Sequence, residues 1–183
     1  MKKTMAILMS FLMVFSVSAF GTLAAQDQEL TQAILKTKDL LPIPNTLTEF
    51  TYSVSEMNAE KVWRLNWRDK DWNNSASAAI TGDGRLFSYS FTKESNYKDY
   101  EGIAALTKDE GLEKAKAFLA NIMPDISDTL RLEDSSLNYS GFYYLFNQYV
   151  NDLKVLNNKL SVTVDKNTGE IISYSGHYDL GRD

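Results

Sequence analysis

Leu160–Tyr178 reads LSVTVDKNTGEIISYSGHY, and this stretch decides the fold. Leu160, Val162 and Val164 alternate with Ser161, Thr163 and Asp165, the period of a strand with one buried face. Lys166–Gly169 then reads as a tight connection, because Asn167 and Gly169 both tolerate positive φ. A second strand follows from Glu170, with Ile172, Tyr174 and Tyr178 on one face. A shorter version lies upstream at Ala76–Phe91, ASAAITGDGRLFSYSF. There Gly84 aligns with Gly169, and Ser88-Tyr89-Ser90 with Ser173-Tyr174-Ser175, at a single offset.

The hairpins are each preceded by a helix. Residues 28–41 place Leu30, Ala33, Ile34, Thr37, Leu40 and Leu41 near one face, with Asp27 as cap and Pro42 as terminator. Thr107-Lys-Asp-Glu110 is a capping box, and the helix after it carries Leu112, Ala115, Phe118, Leu119 and Ile122 on one face before Pro124. Setting Pro42 over Pro124 superposes the two helices, so each half reads as helix, strand, strand, hairpin. Leu47–Ser55 and Glu60–Asp69 supply strands in the first half. Leu130–Leu137, Gly141–Val150 and a short run at Leu153–Leu156 supply them in the second. The middle strands find no unique alignment between the halves. The expected fold is α+β: a unit at 26–95, a linker at 96–106 and a unit at 107–183, each unit a helix packed on an antiparallel β-sheet.

Residues 1–25 form a signal peptide by their pattern: Lys2 and Lys3, a short apolar run Met5–Val17, then small residues with cleavage sites after Ala19, Gly21 or Ala24. The apolar run is short for a membrane span, which argues against an uncleaved anchor. The net charge is −5. Losing Lys2 and Lys3 leaves 17 basic residues against 24 acidic, so the chain has no electrostatic attraction for nucleic acid or an anionic membrane. The absence of cysteine excludes disulfides, zinc–thiolate sites, a thiol nucleophile and a lipoprotein anchor.

No constellation carries chemistry. His177 is the one histidine; H-E-x-x-H and G-x-S-x-G are both absent. Asp165, Asn167 and Glu170 hint at calcium, but Gly169 occupies the fifth loop position and the distal Glu is missing. Gly82-Asp83-Gly84 lacks the following helix that anion binding requires. Trp63 and Trp67 alternate in phase with Leu65 and read as core, whereas Trp72 falls in a polar turn and reads as exposed. The expectation is therefore no enzyme, no cofactor and no metal. Asp165, Thr168, Gly169, Glu170, Tyr174, Gly84 and Tyr89 form the structural signature. Trp72, Tyr143 and Tyr149 are the candidate interaction residues, the tyrosines through strand addition along Phe142–Tyr149 unless that strand is central.

The helix opening LTKDEGLEKAKAFL together with VTVDKNTGEIISYS resembles a PepSY domain, and the two-copy arrangement behind a signal peptide is similar to the YcdB/YcdC-type repeated domain of secreted bacterial proteins. The likeness is good over Leu106–Tyr178 and weaker over Gln28–Thr92, where Gly82-Asp83-Gly84-Arg85 stands against Asn167-Thr168-Gly169-Glu170. PepSY modules accompany thermolysin-type metallopeptidases as propeptides and also stand alone in envelope proteins. The resemblance implies a non-enzymatic interaction module, secreted or in the bacterial cell envelope, that inhibits or regulates a secreted peptidase. The competing expectation is a cell-wall or glycan-binding structural module using exposed aromatics.

Overall fold

The computed structural model describes residues 28–57, 60–94 and 103–177, the His177 side chain excepted. The signal segment, Asp27, residues 96–102 of the expected 96–106 linker, and Tyr178 lie outside the described residues. Helix α1 covers residues 28–40 and is followed by strands β1 (Glu49–Met57), β2 (Glu60–Arg68), β3 (Ser75–Thr81) and β4 (Leu86–Thr92). Helix α2 (Lys108–Ile122) and a 3-10 turn at Ser127–Thr129 precede β5 (Leu130–Leu137), β6 (Gly141–Val150), β7 (Leu153–Asp165) and β8 (Ile171–His177). Leu153–Leu156, expected as a separate short run, is the first part of the 13-residue β7.

The capping box opens α2 as its sequence requires. The Glu110 amide donates to the Thr107 hydroxyl at 3.2 Å, and the Thr107 amide donates to the Glu110 carboxylate at 2.8 Å. These hydrogen bonds, the backbone one first, hold the Glu110 carboxyl below its ordinary range. The helix buries Gly111, Ala115 and Leu119, a spacing of one contact per turn.

The strands form one eight-stranded sheet in the order β1-β2-β3-β4-β8-β7-β6-β5, with every pair antiparallel. This corrects the expectation of a sheet for each half. The two meanders join edge to edge along β4 and β8, where Ser88 lies opposite Ser175, Tyr89 opposite Tyr174 and Ser90 opposite Ser173. Joining them removes two of the four edges that separate sheets would expose.

One face of the sheet carries the core. Trp63, Leu65 and Trp67 of β2 lie against Ile80, Ala78 and Ala76 of β3; Phe142, Tyr144 and Phe146 of β6 lie against Val164, Val162 and Leu160 of β7. All twelve are buried, Trp63 and Trp67 among them. Tyr89 and Tyr174 sit at the centre of this face. Tyr174 donates to Met123 Sδ at 3.4 Å, just past the end of α2. The residue just past the end of α1 is Leu41, which offers no side-chain acceptor, and the buried Tyr89 hydroxyl has no hydrogen-bond partner among the described residues.

That orphan hydroxyl gives a prediction. Burial, with the Glu170 charge behind it, pushes the Tyr89 phenol up to about 12; burial and the Asp109 charge do the same to Tyr144. Both values exceed the ordinary 10.0. Between these limits the unfolded chain gives up protons that the folded chain keeps, so stability falls as pH rises through that window. Tyr89→Phe is expected to remove one high-pH phenol from a spectrophotometric titration and to raise stability by about 1 kcal/mol or more, the cost of an unmade buried hydrogen bond. A denaturant midpoint unchanged or lowered by this substitution contradicts the assignment.

Candidate functional site

The signature hairpin is a self-contained turn. The Asp165 amide donates to the Glu170 carbonyl at 2.8 Å, and the Gly169 amide to the Asp165 carbonyl at 2.9 Å. The Asp165 carboxylate accepts from the amides of Asn167 at 2.8 Å and Thr168 at 2.9 Å. Gly169 takes φ +74°, whereas Asn167 does not enter the left-handed region the sequence allowed it. Glu170 is exposed and paired with Lys93. The Asp165 carboxylate is thus engaged by the backbone amides of its own turn.

The upstream turn has the same backbone device and different side chains. Gly84 takes φ +98°. The Thr81 hydroxyl donates to the Asp83 carboxylate and, with the Arg85 charge contributing less, holds that carboxyl below its ordinary range. Arg85 in turn pairs with Glu60 at 2.8 Å. In both halves a helix lysine lies over the turn glycine: the Lys36 stem over Gly84 and the Lys114 stem over Gly169. Spacing alone did not reveal this contact, since the two lysines hold different places in their helices.

The three candidate interaction residues do not converge. Trp72 sits in the β2–β3 turn, 67% exposed, at φ +63°. The Asp69 carboxylate holds this turn by accepting from Asn73 and Asn74, and the Arg68 guanidinium lies 4.4 Å from the Trp72 ring centroid. Tyr143 is half-buried on β6, separated from β3 by β4, β8 and β7. Tyr149 is near the far end of β6, where Arg131 lies 4.6 Å from its ring and its hydroxyl donates to Glu133 at 3.1 Å. Glu133 also pairs with Lys154 at 2.5 Å, and the Lys154 hydrogen bond leads in lowering its carboxyl below the ordinary range.

Strand addition along Phe142–Tyr149 is closed, because β6 lies between β5 and β7. The sheet's edges are β1 and β5, and they differ. β5 is bulged between Leu132 and Asp134 and carries Arg131, Glu133 and Asp134, which blunt an edge. β1 runs nine residues in unbroken register with β2. It exposes Tyr52 (45%) and Val54 (39%), and its charges, Glu49 and Glu56, sit near its ends. Tyr52 is held from behind by Trp63 at 6.0 Å and Phe50 at 6.2 Å between ring centroids. A surface depression of about 410 Å³ lined by Val54, Ser55, Glu56 and Lys61 opens beside the strand. A regular edge whose outer side pairs with no strand among the described residues, an exposed aromatic–aliphatic pair and an adjoining pocket suits an extended polypeptide. The sequence missed this site because nothing local distinguishes an edge strand from an internal one.

The family model described as YcdB, YcdC repeated domain matches residues 30–178, across both meanders. No curated protein matches the chain. Among solved structures it is similar to the Bacillus megaterium YpeB C-terminal domain, with a TM-score of 0.60 and 12% identity, over 82% of this chain and 66% of that one. The chain therefore spans about two thirds of that structure. At this identity the likeness concerns the fold, α+β with a dominant antiparallel sheet. Among the described residues no helix is long and apolar enough to cross a membrane.

Proposed function

Since the chain belongs to the YcdB/YcdC repeated-domain family, we propose that it is an exported, non-enzymatic interaction module of the bacterial cell envelope that restrains a secreted peptidase. Its export rests on the signal pattern of residues 1–25, and its build on two PepSY-like units, 26–95 and 107–183, joined by 96–106. The Ser-Tyr-Ser repeat supports the two units: Ser88 faces Ser175 and Ser90 faces Ser173, so exchanging the halves maps each pair onto the other.

The observation that carries the proposal is the β1 edge. A peptidase cleft binds substrate as an extended strand, and β1 offers one already ordered by β2, without the entropy cost a loose peptide incurs. Tyr52 and Val54 enter alternate subsites on one side of the cleft, with Ser53 between them pointing the other way, while Glu49 and Glu56 flank them.

The test is inhibition. Purified protein is incubated with each secreted metallopeptidase of the same cell. At least one is expected to lose activity at micromolar inhibitor, and Tyr52→Lys/Val54→Lys is expected to weaken that inhibition by about tenfold or more. Both positions are exposed, so the double variant is expected to melt within a few degrees of the parent. No inhibition of any of them at micromolar concentration sinks the reading.

A further inference from the structure

The face of the sheet opposite the core carries an unbroken row of polar side chains, all small except Tyr143. In an antiparallel sheet, directly opposed residues share a face. Thr51 lies opposite Asn66, Asn66 opposite Ser77, and Ser77 opposite Ser90. The row crosses the seam to Ser173, then continues through Thr163 and Tyr143 to Ser136 on the far edge strand. It spans all eight strands, roughly 34 Å at the usual strand spacing. Neighbouring hydroxyls are linked: Ser77 and Ser90 at 2.8 Å, Ser173 and Thr163 at 2.8 Å.

The row passes through a cleft of about 480 Å³, whose walls include Ser90, Thr163, Ser173 and Tyr139. Tyr139 is 54% exposed, on a turn braced by Asn138, whose carboxamide oxygen accepts from the Ser140 and Gly141 amides. Two charged residues also line the cleft, and each is engaged within the protein: Lys93 by Glu170, Asp165 by its own turn. What the cleft offers is hydroxyls of both donor and acceptor kind, the apolar side chains of Phe91 and Ile172, and the exposed Tyr139 ring on a rigid mount.

We propose that this face binds an uncharged linear polysaccharide laid across the strands, anchored in the cleft by stacking on Tyr139. A neutral polyol matches a site whose charges are engaged elsewhere, and it exchanges hydrogen bonds with Ser/Thr hydroxyls without stranding a buried ion. The strand spacing of about 4.8 Å is close to the rise per ring of an extended β-1,4-linked chain, so successive rings meet successive polar side chains of the row, the buried Thr163 excepted. A protein partner fits less well, since the row has a single large side chain, Tyr143, and no apolar centre. This site is separate from the outer edge of β1, and either proposal stands without the other.

The test is calorimetric titration of the whole chain, purified in the form its cell leaves it, with cellohexaose, N-acetylchitohexaose and a galacturonate hexamer. At least one neutral hexasaccharide is expected to bind with Kd below about 1 mM, with Ser173→Leu and Tyr139→Ala each weakening it about tenfold or more. Circular dichroism and thermal melting verify that the variants fold; Ser90→Leu reads the same row should Ser173→Leu fail. Leu153→Ser, on the hairpin at the other end of the sheet, is expected to change nothing. No saturable binding of either neutral sugar, tighter binding of the galacturonate, or binding that the row and Tyr139 variants leave intact overturns the proposal.

Discussion

Tyr174→Ala is expected to cost about 3–5 kcal/mol of stability, the range for emptying a buried aromatic site. Tyr174 is 1% exposed and lies against three different elements, β4, β7 and α2. It faces Tyr89 across the seam and Val162 on β7. It meets the Phe118 ring edge-on at 5.6 Å and donates to Met123 Sδ. The ring therefore ties the two meanders to each other and both to α2, and neighbours drawn from so many elements cannot collapse together into the void. Tyr174→Phe keeps the ring and gives up a weak O–H···S contact, so it is expected to cost no more than about 1.5 kcal/mol. Urea unfolding checks both, read as a shift of midpoint at constant slope. Equal midpoints for the two variants contradict the packing argument.

Gly141→Ala is expected to cost about 3 kcal/mol, the upper end of what overpacking imposes, or to abolish folding. A Cβ here would stand 2.0 Å from the Val164 carbonyl oxygen and 2.8 Å from its carbon. Both atoms are backbone, fixed between β6 and β8 in the middle of the second meander. Moving them breaks the pairing of Gly141 with Asp165 and with it the signature turn. Two other glycines bracket the effect. A Cβ on Gly82 would meet nothing within 4 Å among the described residues beyond its chain neighbours, and its φ is not positive, so Gly82→Ala is expected to be neutral or to stabilise by about a few tenths of a kcal/mol. At Gly169 the obstacle is the flexible Lys114 stem, and the cost arises from φ +74°. Thermal melts of the set rank backbone clash above φ strain above open space; a Gly141→Ala melt equal to that of Gly82→Ala contradicts the close approach.

What was legible in the sequence was local. Thr107 and Glu110 announced the start of α2, alternation put Trp63, Leu65 and Trp67 in the core, and Gly84 and Gly169 marked the turns that need positive φ. What was not legible depended on partners distant along the chain. Ser88-Tyr89-Ser90 was visible as a repeat, but its pairing with Ser173-Tyr174-Ser175 was not, because a strand carries no local sign of its neighbour. The middle strands failed to align for a similar reason. Trp63 and Phe142 hold equivalent places against Ile80 and Val164, but the connecting turns differ in length, as 81–85 does from 165–170. A single offset that fits the turn glycines slips by a residue in the preceding strand, which reverses its two faces. Tyr143 and Tyr149 were chosen for residue type alone; the β1 edge and the hydroxyl row emerge once strand order is known.

The seam between β4 and β8 also sets an order of events. A chain made from its amino terminus completes β1–β4 well before β8 exists. Until residues 171–177 arrive, β4 is a second unpaired edge, with Phe87 and Phe91 on it, in addition to β1, which remains an edge of the finished sheet among the described residues. The seam is also the longest-range strand pairing in the sheet, so it closes against the largest loop entropy and late. The nascent first half is thus the aggregation-prone species, and a holdase that shields β4 is the assistance this topology calls for.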